Sequence, residues 1–290
     1  MKRLLLSLAF FLAGNALAAV APPPPGTDIW LVDLDLAEGR PSAMNPRNLT
    51  ARRGYDNQPA FVNPQAFLFT SMDASGQTDA WRYELMDGSA APVLVTPESE
   101  YSPTPAPDGG ISVVRVSLTG VQQLWTLAPG AARYEVLFPM LEGVGYHIWV
   151  DNERAALFLV REPPELHVAN RRTGEVVVLA KDIGRSLQMT PGASATLAFT
   201  EPGQDGKRWI KQLDLAEKRL TSLAPLLKDS EDFVFLPDGR AVMAEGRGLY
   251  VWNGDAWQEF ARFDTLPGAI TRLAISPDAA HLAMVVAEGE

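Results

Sequence analysis

The sequence has no cysteine and only three histidines among its 290 residues. A chain without cysteine can form neither a disulfide framework nor a lipid-modified cysteine, so its stability must come from packing. It also contains no Asp-x-Asp-x-Asp-Gly calcium loop and no Gly-x-Ser-x-Gly nucleophile elbow. We therefore expect neither a disulfide-stapled secreted domain nor an enzyme with a concentrated catalytic motif.

Basic residues are in the minority, with 25 Lys and Arg against 35 Asp and Glu and a net charge of −10. A nucleic-acid partner requires the opposite sign of charge, so we expect none. Long apolar runs are also missing after the first eighteen residues. Since a membrane-spanning helix needs about 20 apolar residues, we expect no membrane insertion of the mature chain.

The N-terminus has the layout of a cleaved secretory signal. Lys2 and Arg3 precede an apolar run over residues 4–13, and small residues surround Ala18. We predict a signal peptide over residues 1–18, cleaved near Ala18, and therefore a periplasmic or secreted protein. The segment 19–26 contains "APPPPG" and is typical of a stiff proline-rich spacer, which leaves residues 27–290 as a single domain.

Six turns of similar composition recur along this domain, each after a short apolar strand. They are centred on Pro64, Pro107, Asp151, Pro191, Pro237 and Pro277, with steps of 40 to 46 residues. Each turn precedes a run rich in apolar and β-branched residues, such as "ISVVRV" and "HLAMVV". Every repeat thus begins with a predicted β-hairpin.

An aromatic or imidazole ring recurs in the strand that follows each hairpin. The positions are Trp81, Trp125, His167, Trp209 and Tyr250, with steps of 41 to 44 residues. Turn residues then lead into a fourth strand, as an antiparallel meander requires. We expect Trp125 and Trp209 to be buried between repeats, and Trp257, one strand later, to be exposed at the rim.

A period of 40 to 45 residues with four strands per repeat predicts an all-β fold, a six-bladed β-propeller with four antiparallel strands per blade. The sixth repeat contains only two of its strands. The segment "TDIWLVDLDL" near the N-terminus supplies an aromatic third strand at Trp30, and "PRNLT" supplies a fourth. We therefore predict that N-terminal strands complete the last blade and close the ring, which removes free sheet edges.

The segments "APDGG", "LPDGR", "ISPDAAHLA" and "DIWLVDL" resemble the repeats of the TolB-like six-bladed propellers, which are exported bacterial proteins with WD-repeat-like blades. The resemblance covers essentially the whole predicted mature chain and implies the propeller fold. TolB itself resembles a two-domain protein with an α/β domain ahead of the propeller, whereas here the first predicted blade strand follows shortly after the signal. The shared residues shape turns and pack blades, so the resemblance implies little about function.

Propeller geometry predicts where a binding site lies. The inner strand of each blade starts on the face formed by the loops between blades, and the "PDG" turns lie on the opposite face. The residues that we expect at the channel mouth are Asp56, Asn57, Glu100, Tyr101, Tyr146, His147, Arg185, Glu231, Asp232 and Arg272. The carboxylates among them predict an acidic mouth that attracts cationic segments.

Two functions remain open at this point. The first is a non-catalytic, monomeric module of the bacterial envelope that binds a protein or peptide at the mouth, without catalytic residues or cofactor. The second is a metal-dependent hydrolase of the lactonase type, with a divalent metal in the channel held by residues from different blades. The missing catalytic motif favours the first.

Overall fold

In the described residues, the regular structure consists of twenty-four β-strands and one 3-10 turn at Ala37–Gly39. This computed structural model describes residues 24–193, 195–228 and 230–289. The predicted signal peptide and the first residues of the predicted spacer lie outside the described residues. Within the described part of the chain, no helix has both the length and the apolar character needed to cross a membrane.

The strands follow one another at short intervals along the whole described chain. In order they are β1 (Thr27–Asp35), β2 (Ser42–Asn48), β3 (Asp56–Asn63), β4 (Ala66–Met72), β5 (Thr78–Glu84), β6 (Ala90–Pro92), β7 (Ser99–Pro105), β8 (Ile111–Val116), β9 (Gln122–Leu127), β10 (Glu135–Val136), β11 (Val144–Trp149), β12 (Arg154–Leu159), β13 (Glu165–Asn170), β14 (Val176–Lys181), β15 (Leu187–Met189), β16 (Thr196–Pro202), β17 (Arg208–Asp214), β18 (Arg219–Pro225), β19 (Phe233–Phe235), β20 (Ala241–Glu245), β21 (Gly248–Trp252), β22 (Trp257–Arg262), β23 (Ile270–Ile275) and β24 (His281–Ala287).

These strands form six four-stranded antiparallel sheets, which are the blades of a propeller. Blades 1 to 5 are the consecutive meanders β3–β6, β7–β10, β11–β14, β15–β18 and β19–β22. Blade 6 has the order β23, β24, β1, β2 and so combines both ends of the described chain. The predicted fold, with six blades and a ring closed by N-terminal strands, is confirmed.

The closing contact is a long antiparallel pairing between β1 and β24. It runs from Thr27 opposite Ala287 to Asp33 opposite His281, with Trp30 opposite Met284. The side chains of β1 also enter the core on both faces of the sheet, because Ile29 and Val32 are fully buried. Closure therefore combines ladder hydrogen bonds with apolar burial.

The turns between first and second strands show why the repeat carries Pro-Asp-Gly. In blade 2 the N–H of Ala106 donates to the carbonyl of Gly110 at 2.9 Å, and the carboxylate of Asp108 accepts the N–H of Gly110 at 3.1 Å. Gly109 has a φ of 82°, which side-chain-bearing residues rarely adopt. A Cβ on Gly110 would lie 2.3 Å from the carbonyl oxygen of Leu127, so this position also requires glycine.

The hydrophobic core lies between blades rather than in one central mass. Between blades 6 and 1, Ile29 and Leu31 pack with Phe67, Phe69 and Tyr83. The rings of Phe67 and Tyr83 stack with their centroids 5.1 Å apart. Similar clusters fill the other spaces between neighbouring sheets. The blades are therefore packed against each other, and the inner strands are held rigidly around the axis.

The recurring ring position is less buried than predicted. Trp125 and Trp209 are half-buried, because the third strand lies toward the outside of the ring. The guanidinium of Arg115 covers the Trp125 ring at 4.8 Å, and the indole N–H of Trp209 donates to Asp205 at 3.0 Å. The prediction for Trp257 is also wrong: it is half-buried, and its indole N–H donates to the carbonyl of Pro225 in the preceding blade at 2.8 Å.

Candidate functional site

A cavity of about 240 Å³ lies on the axis of the ring, where the inner strands of all six blades meet. Five of the ten predicted mouth residues contribute to its wall: Tyr146, His147, Arg185, Asp232 and Arg272. The other five do not line it. The axial cavity is therefore the place where the largest number of predicted site residues come together.

Side-chain hydrogen bonds join neighbouring blades around this cavity. The hydroxyl of Ser186 in blade 4 accepts the N–H of Phe233 in blade 5 at 3.4 Å. The carboxylate of Asp232, just before β19, accepts the N–H of Leu273 in blade 6 at 3.2 Å. Because these bonds are buried, they fix the relative positions of the inner strands. The site is thus built on rigid elements.

Arg272 is the most enclosed cation of the mouth, with 16% of its side chain exposed. Its guanidinium lies 5.2 Å from the centre of the Tyr146 ring, a cation–π geometry. Its Nη1 atom lies 3.7 Å from the Oδ2 atom of Asp232, whose side chain is 7% exposed. The ring and the carboxylate hold the cation at the wall of the cavity.

Arg185 and Glu231 form a second, looser pair beside the first. The Nε atom of Arg185 lies 3.9 Å from a carboxylate oxygen of Glu231, and it has no hydrogen-bond partner among the described residues. Gly184 allows Glu231 to approach, because a Cβ there would lie 2.1 Å from its carboxylate. Glu231 also borders an adjoining groove of about 630 Å³ that contains Lys207 and Arg208.

His147 is buried at the cavity wall. Its Nε2 atom lies 2.6 Å from the hydroxyl of Ser112, which also accepts the indole N–H of Trp149 at 3.0 Å. Burial lowers the pKa of His147 to about 3, so the imidazole is neutral at ordinary pH. Ser112 is fully buried. This Ser–His pair therefore joins blades 2 and 3 and does not present a nucleophile to a ligand.

Two of the predicted residues lie between blades 1 and 6 instead of at the cavity. Asp56 is buried, and its carboxylate accepts a hydrogen bond from the guanidinium of Arg52. Burial raises the pKa of Asp56. Asn57 donates to the hydroxyl of Thr27 at 3.2 Å and so holds the start of β1. Both side chains support ring closure.

The side chains of Glu100 and Tyr101 point to opposite sides of β7. Glu100 has no exposed surface, accepts a hydrogen bond from the Thr96 hydroxyl and lies 3.7 Å from the Nε atom of Arg115. Burial raises the pKa of Glu100 to about 8, with a further increase from the carboxyl of Asp79. Tyr101 is half-buried and packs against the cluster between blades 2 and 3.

The expectation of an acidic mouth is therefore wrong. Three of its four carboxylates, those of Asp56, Glu100 and Asp232, are less than 9% exposed. The fourth, Glu231, faces Arg185. The cause is that successive side chains along an inner strand point to opposite sides, so every second one faces the space between blades. Little free negative charge remains at the opening.

Sequence reasoning missed several residues of the cavity wall, including Gln58 and Ser102. They occupy equivalent places in blades 1 and 2, within irregular stretches of β3 and β7, with φ angles of 59° and 50°. Pro59 and Pro103 follow them. The spacing of 44 residues between "DNQP" and "EYSP" is the signal that could have identified the pair. Such irregularities redirect side chains next to functional sites.

Tyr55 is a further residue that the sequence analysis missed. It is half-buried just before β3, and burial raises its pKa to about 12. Its hydroxyl is within electrostatic range of Tyr101, Tyr146, Arg185 and Arg272. Tyr146, Arg185 and Arg272 line the cavity, and Tyr55 and Tyr101 lie near them. We refer to these five residues as the Tyr–Arg mouth.

The chemistry available at the mouth is hydrogen bonding, stacking and charge pairing. Within the described chain, no three histidine or carboxylate side chains are grouped closely enough to hold a metal ion. The fold and the cavity together define a class, the six-bladed propellers with an axial site.

Comparison with known proteins shows which solved structures have a similar propeller fold. No family model and no curated protein sequence matches this chain. Among solved structures, it is similar to a TolB-type protein of Agrobacterium tumefaciens, with 12% identity, a TM-score of 0.67, and coverage of 92% of this chain and 100% of that chain. A gluconolactonase of Xanthomonas campestris gives 11% identity, a TM-score of 0.63, and coverage of 92% and 99%. TolB from Acinetobacter baumannii gives 14% identity, a TM-score of 0.60, and coverage of 91% of this chain.

The chain spans 65% of the length of the Acinetobacter baumannii TolB structure. The fold is that of the TolB-like six-bladed β-propellers, as the sequence resemblance predicted. Identities of 11 to 14% show the fold alone, since TolB and a gluconolactonase share it. The function has to be argued from the mouth.

Proposed function

We propose that this chain is a non-catalytic binding module that docks a protein or peptide on the Tyr–Arg mouth. The observation that carries the proposal is that Tyr146, Arg185 and Arg272 line one cavity, with Tyr55 and Tyr101 near them. Tyrosine and arginine are enriched among the residues that contribute most to protein binding. Tyrosines supply contact area with little loss of conformational entropy, and arginines supply directed hydrogen bonds.

The rigidity of the ring supports this role. The Tyr146 ring lies between Arg272 and Phe158, whose ring centre is 5.7 Å away. Side chains that are already fixed lose little freedom on binding, so more of the contact energy appears as affinity. The cavity then accommodates a projecting group of the partner, and the tyrosines form the surrounding contact surface.

The cellular setting is proposed from the N-terminal segment. Its signal-like pattern favours a periplasmic or secreted mature protein, and we propose a partner in the bacterial envelope. We propose that the module acts as a monomer and needs no cofactor for binding. The similarity in fold to a TolB-type structure supports the proposal.

The alternative function is a metal-dependent hydrolase of the lactonase type. The name of the Xanthomonas campestris neighbour as a gluconolactonase motivates it. In that case Asp232 and His147, the carboxylate and the imidazole of the cavity wall, would hold a divalent metal, which would supply an activated water for attack. The same purified protein tests both functions.

The test compares capture of envelope proteins by the wild type and two double variants. Tyr101→Ala with Glu231→Ala alters the mouth, and Asp108→Asn with Asp238→Asn alters the opposite face while keeping hydrogen-bond acceptors. Proteins retained by the wild type are identified, purified and measured again for direct binding. We expect the mouth variant to lose at least tenfold in affinity and the opposite-face variant to stay within twofold.

Thermal unfolding of each variant serves as the folding control. Loss of binding only in the opposite-face variant would contradict the docking site. The metal content of the mature protein and its hydrolysis of simple lactones are measured in parallel. Stoichiometric metal together with lactone hydrolysis, and no direct partner, would replace the binding function by the enzymatic one.

A further inference from the structure

Two arginines flank two acidic side chains on one side of the mouth, where Arg185 faces Glu231 and Arg272 faces Asp232. The two acids are adjacent in the chain, directly before β19, and each faces one arginine. The separations are 3.9 Å from Arg185 to Glu231 and 3.7 Å from Arg272 to Asp232. Both are ion-pair distances, but both exceed the length of a hydrogen bond. The carboxylates thus hold the cations near the cavity without occupying their N–H groups.

We propose that Arg185 and Arg272 form a carboxylate-binding site at the axial cavity. The inference rests on the proposed function, since it concerns the same mouth, and it specifies the chemistry of the group that enters the channel. That group is a carboxylate, whether carried by a free small acid or by a peptide.

The guanidinium group suits this ligand. It carries five N–H donors in a planar fork that matches the two oxygens of a carboxylate. Arg272 is held against the Tyr146 ring, and its side chain is largely enclosed, so its orientation is fixed before the ligand arrives. The Nε atom of Arg185 is buried without a partner among the described residues. A buried donor without a partner is unfavourable, and an incoming acceptor would remove that penalty.

The net charge of the site favours a singly charged group. Two arginines and two carboxylates leave no excess positive charge, so a doubly charged phosphate would be repelled by Glu231 and Asp232. A carboxylate carries one negative charge, and a single guanidinium group can bind both of its oxygens. We therefore expect inorganic phosphate to bind much more weakly than a carboxylate.

The cavity limits the size of the entering group. Its volume of about 240 Å³ is smaller than the roughly 300–1,000 Å³ of typical small-molecule pockets. A small organic acid, one acidic side chain or one chain terminus fits such a space. The hydroxyl of Ser102 and the Nδ1 atom of His147 also have no hydrogen-bond partner among the described residues, and both residues line the cavity. They provide polar contacts next to the carboxylate.

The site can be tested with small probes and the mature protein. Propionate, the blocked peptides Ac-Gly-Glu-Gly-NH2 and Ac-Gly-Gln-Gly-NH2, the free acid Ac-Gly-Gly-Gly-OH and inorganic phosphate are titrated in turn. Binding is followed by the NMR signals of the arginine Nε–H groups. We expect saturable shifts with the three carboxylate probes only, and weaker binding at high salt. Binding of propionate alone would indicate a free acid as ligand, and binding of the peptides would indicate an acidic side chain or a terminus.

Two variants distinguish specific binding at Arg185 from a general electrostatic attraction of anions to this face. Arg185→Gln should weaken carboxylate binding at least tenfold. Arg161→Gln makes the same charge change on the same face, at a residue that already donates to the carbonyls of Val160 and Glu142, and should stay within twofold. The proposal would be overturned if the glutamine peptide or phosphate bound as strongly as the carboxylate probes. It would also be overturned if Arg185→Gln bound these probes as well as the wild type does, or if the wild type did not bind them at all. Because these probes are free ligands, failure of partner capture does not affect this result.

Discussion

The carboxamide of Gln58 accepts a hydrogen bond from the backbone N–H of Ser102 at 2.7 Å. The two residues occupy equivalent positions in blades 1 and 2, and the same oxygen also accepts the hydroxyl of Thr70 at 2.7 Å. One buried side chain thus connects the inner strands of two blades at the cavity wall. It keeps the irregular stretch of β7 in place.

We expect Gln58→Ala to destabilise the protein by about 1–3 kcal/mol, because it leaves the N–H of Ser102 buried and unpaired. Urea unfolding at constant pH measures the change. Gln65→Ala is the control, since Gln65 is exposed in the neighbouring turn, and we expect less than about 0.5 kcal/mol there. Equal and small losses in both variants would show that the connection contributes little.

Ring closure gives a second prediction. Leu31 in β1 lies opposite Ala283 of β24 and is packed with Phe67 and Phe69 of blade 1. Leu31→Ala should cost about 2–5 kcal/mol, since it removes buried atoms from the contact that closes the ring. Leu220→Ala in β18 removes the same atoms from an exposed side chain and should cost less than about 1 kcal/mol. A loss at Leu31 no larger than at Leu220 would mean that the N-terminal strand is not needed for closure.

The sequence was sufficient to predict this closure. The repeated turns and aromatic strands indicate six blades. The sixth repeat contains only two strands, and the two strands near Trp30 supply the other two. Both signals are local in the chain and repeated, so errors in one repeat are corrected by the others. Burial of the third-strand rings was less predictable, because Trp209 lies where neighbouring blades diverge.

The candidate site was predicted only in part. Arg185, Arg272 and Tyr146 could be placed near the axis because they precede or begin inner strands. Glu100 could not be placed correctly, since a strand alternates its side chains and a single-residue irregularity changes which of them face the neighbouring blade. The positive φ of Gln58 has no signature in a single sequence, because a following proline favours extended backbone. Local irregularities of the backbone therefore decide which residues reach the cavity.

Glu100 provides a prediction about alkaline pH. Its pKa is about 8 in the folded protein, whereas a glutamate in an unfolded chain titrates near 4.3. Between these values the folded protein holds a proton that the unfolded chain has released, so this group lowers stability as the pH rises through that range. Glu100→Gln removes the effect and should be more stable than the wild type at pH 8.5, by about 1–3 kcal/mol.

The comparison for Glu100 is made by urea unfolding at pH 5 and pH 8.5. Glu175→Gln, an exposed control, should change neither value by more than about 0.5 kcal/mol. If Glu100→Gln were less stable than the wild type at pH 8.5, the carboxylate would be stabilised by Arg115 rather than penalised by burial.

His147 gives the opposite dependence, at acidic pH. Its pKa is about 3 in the folded protein because of burial, and about 6.5 in an unfolded chain. As the pH falls below 6.5, the unfolded chain takes up a proton that the folded protein does not bind, so stability is lost toward pH 3. Between pH 7 and pH 4.5 this single group should account for about 2–3 kcal/mol.

His147→Gln tests this, because glutamine keeps a polar contact to Ser112 and does not titrate. Since carboxylates also titrate in this range, the measured quantity is the difference between variant and wild type at each pH. We expect the variant to lose less stability than the wild type on acidification. The control His281→Gln changes a half-exposed imidazole and should follow the wild type. A variant with the same acid sensitivity as the wild type would show that His147 is not held neutral at the cavity wall, and would remove its Nδ1 atom from the polar contacts assigned to a bound carboxylate.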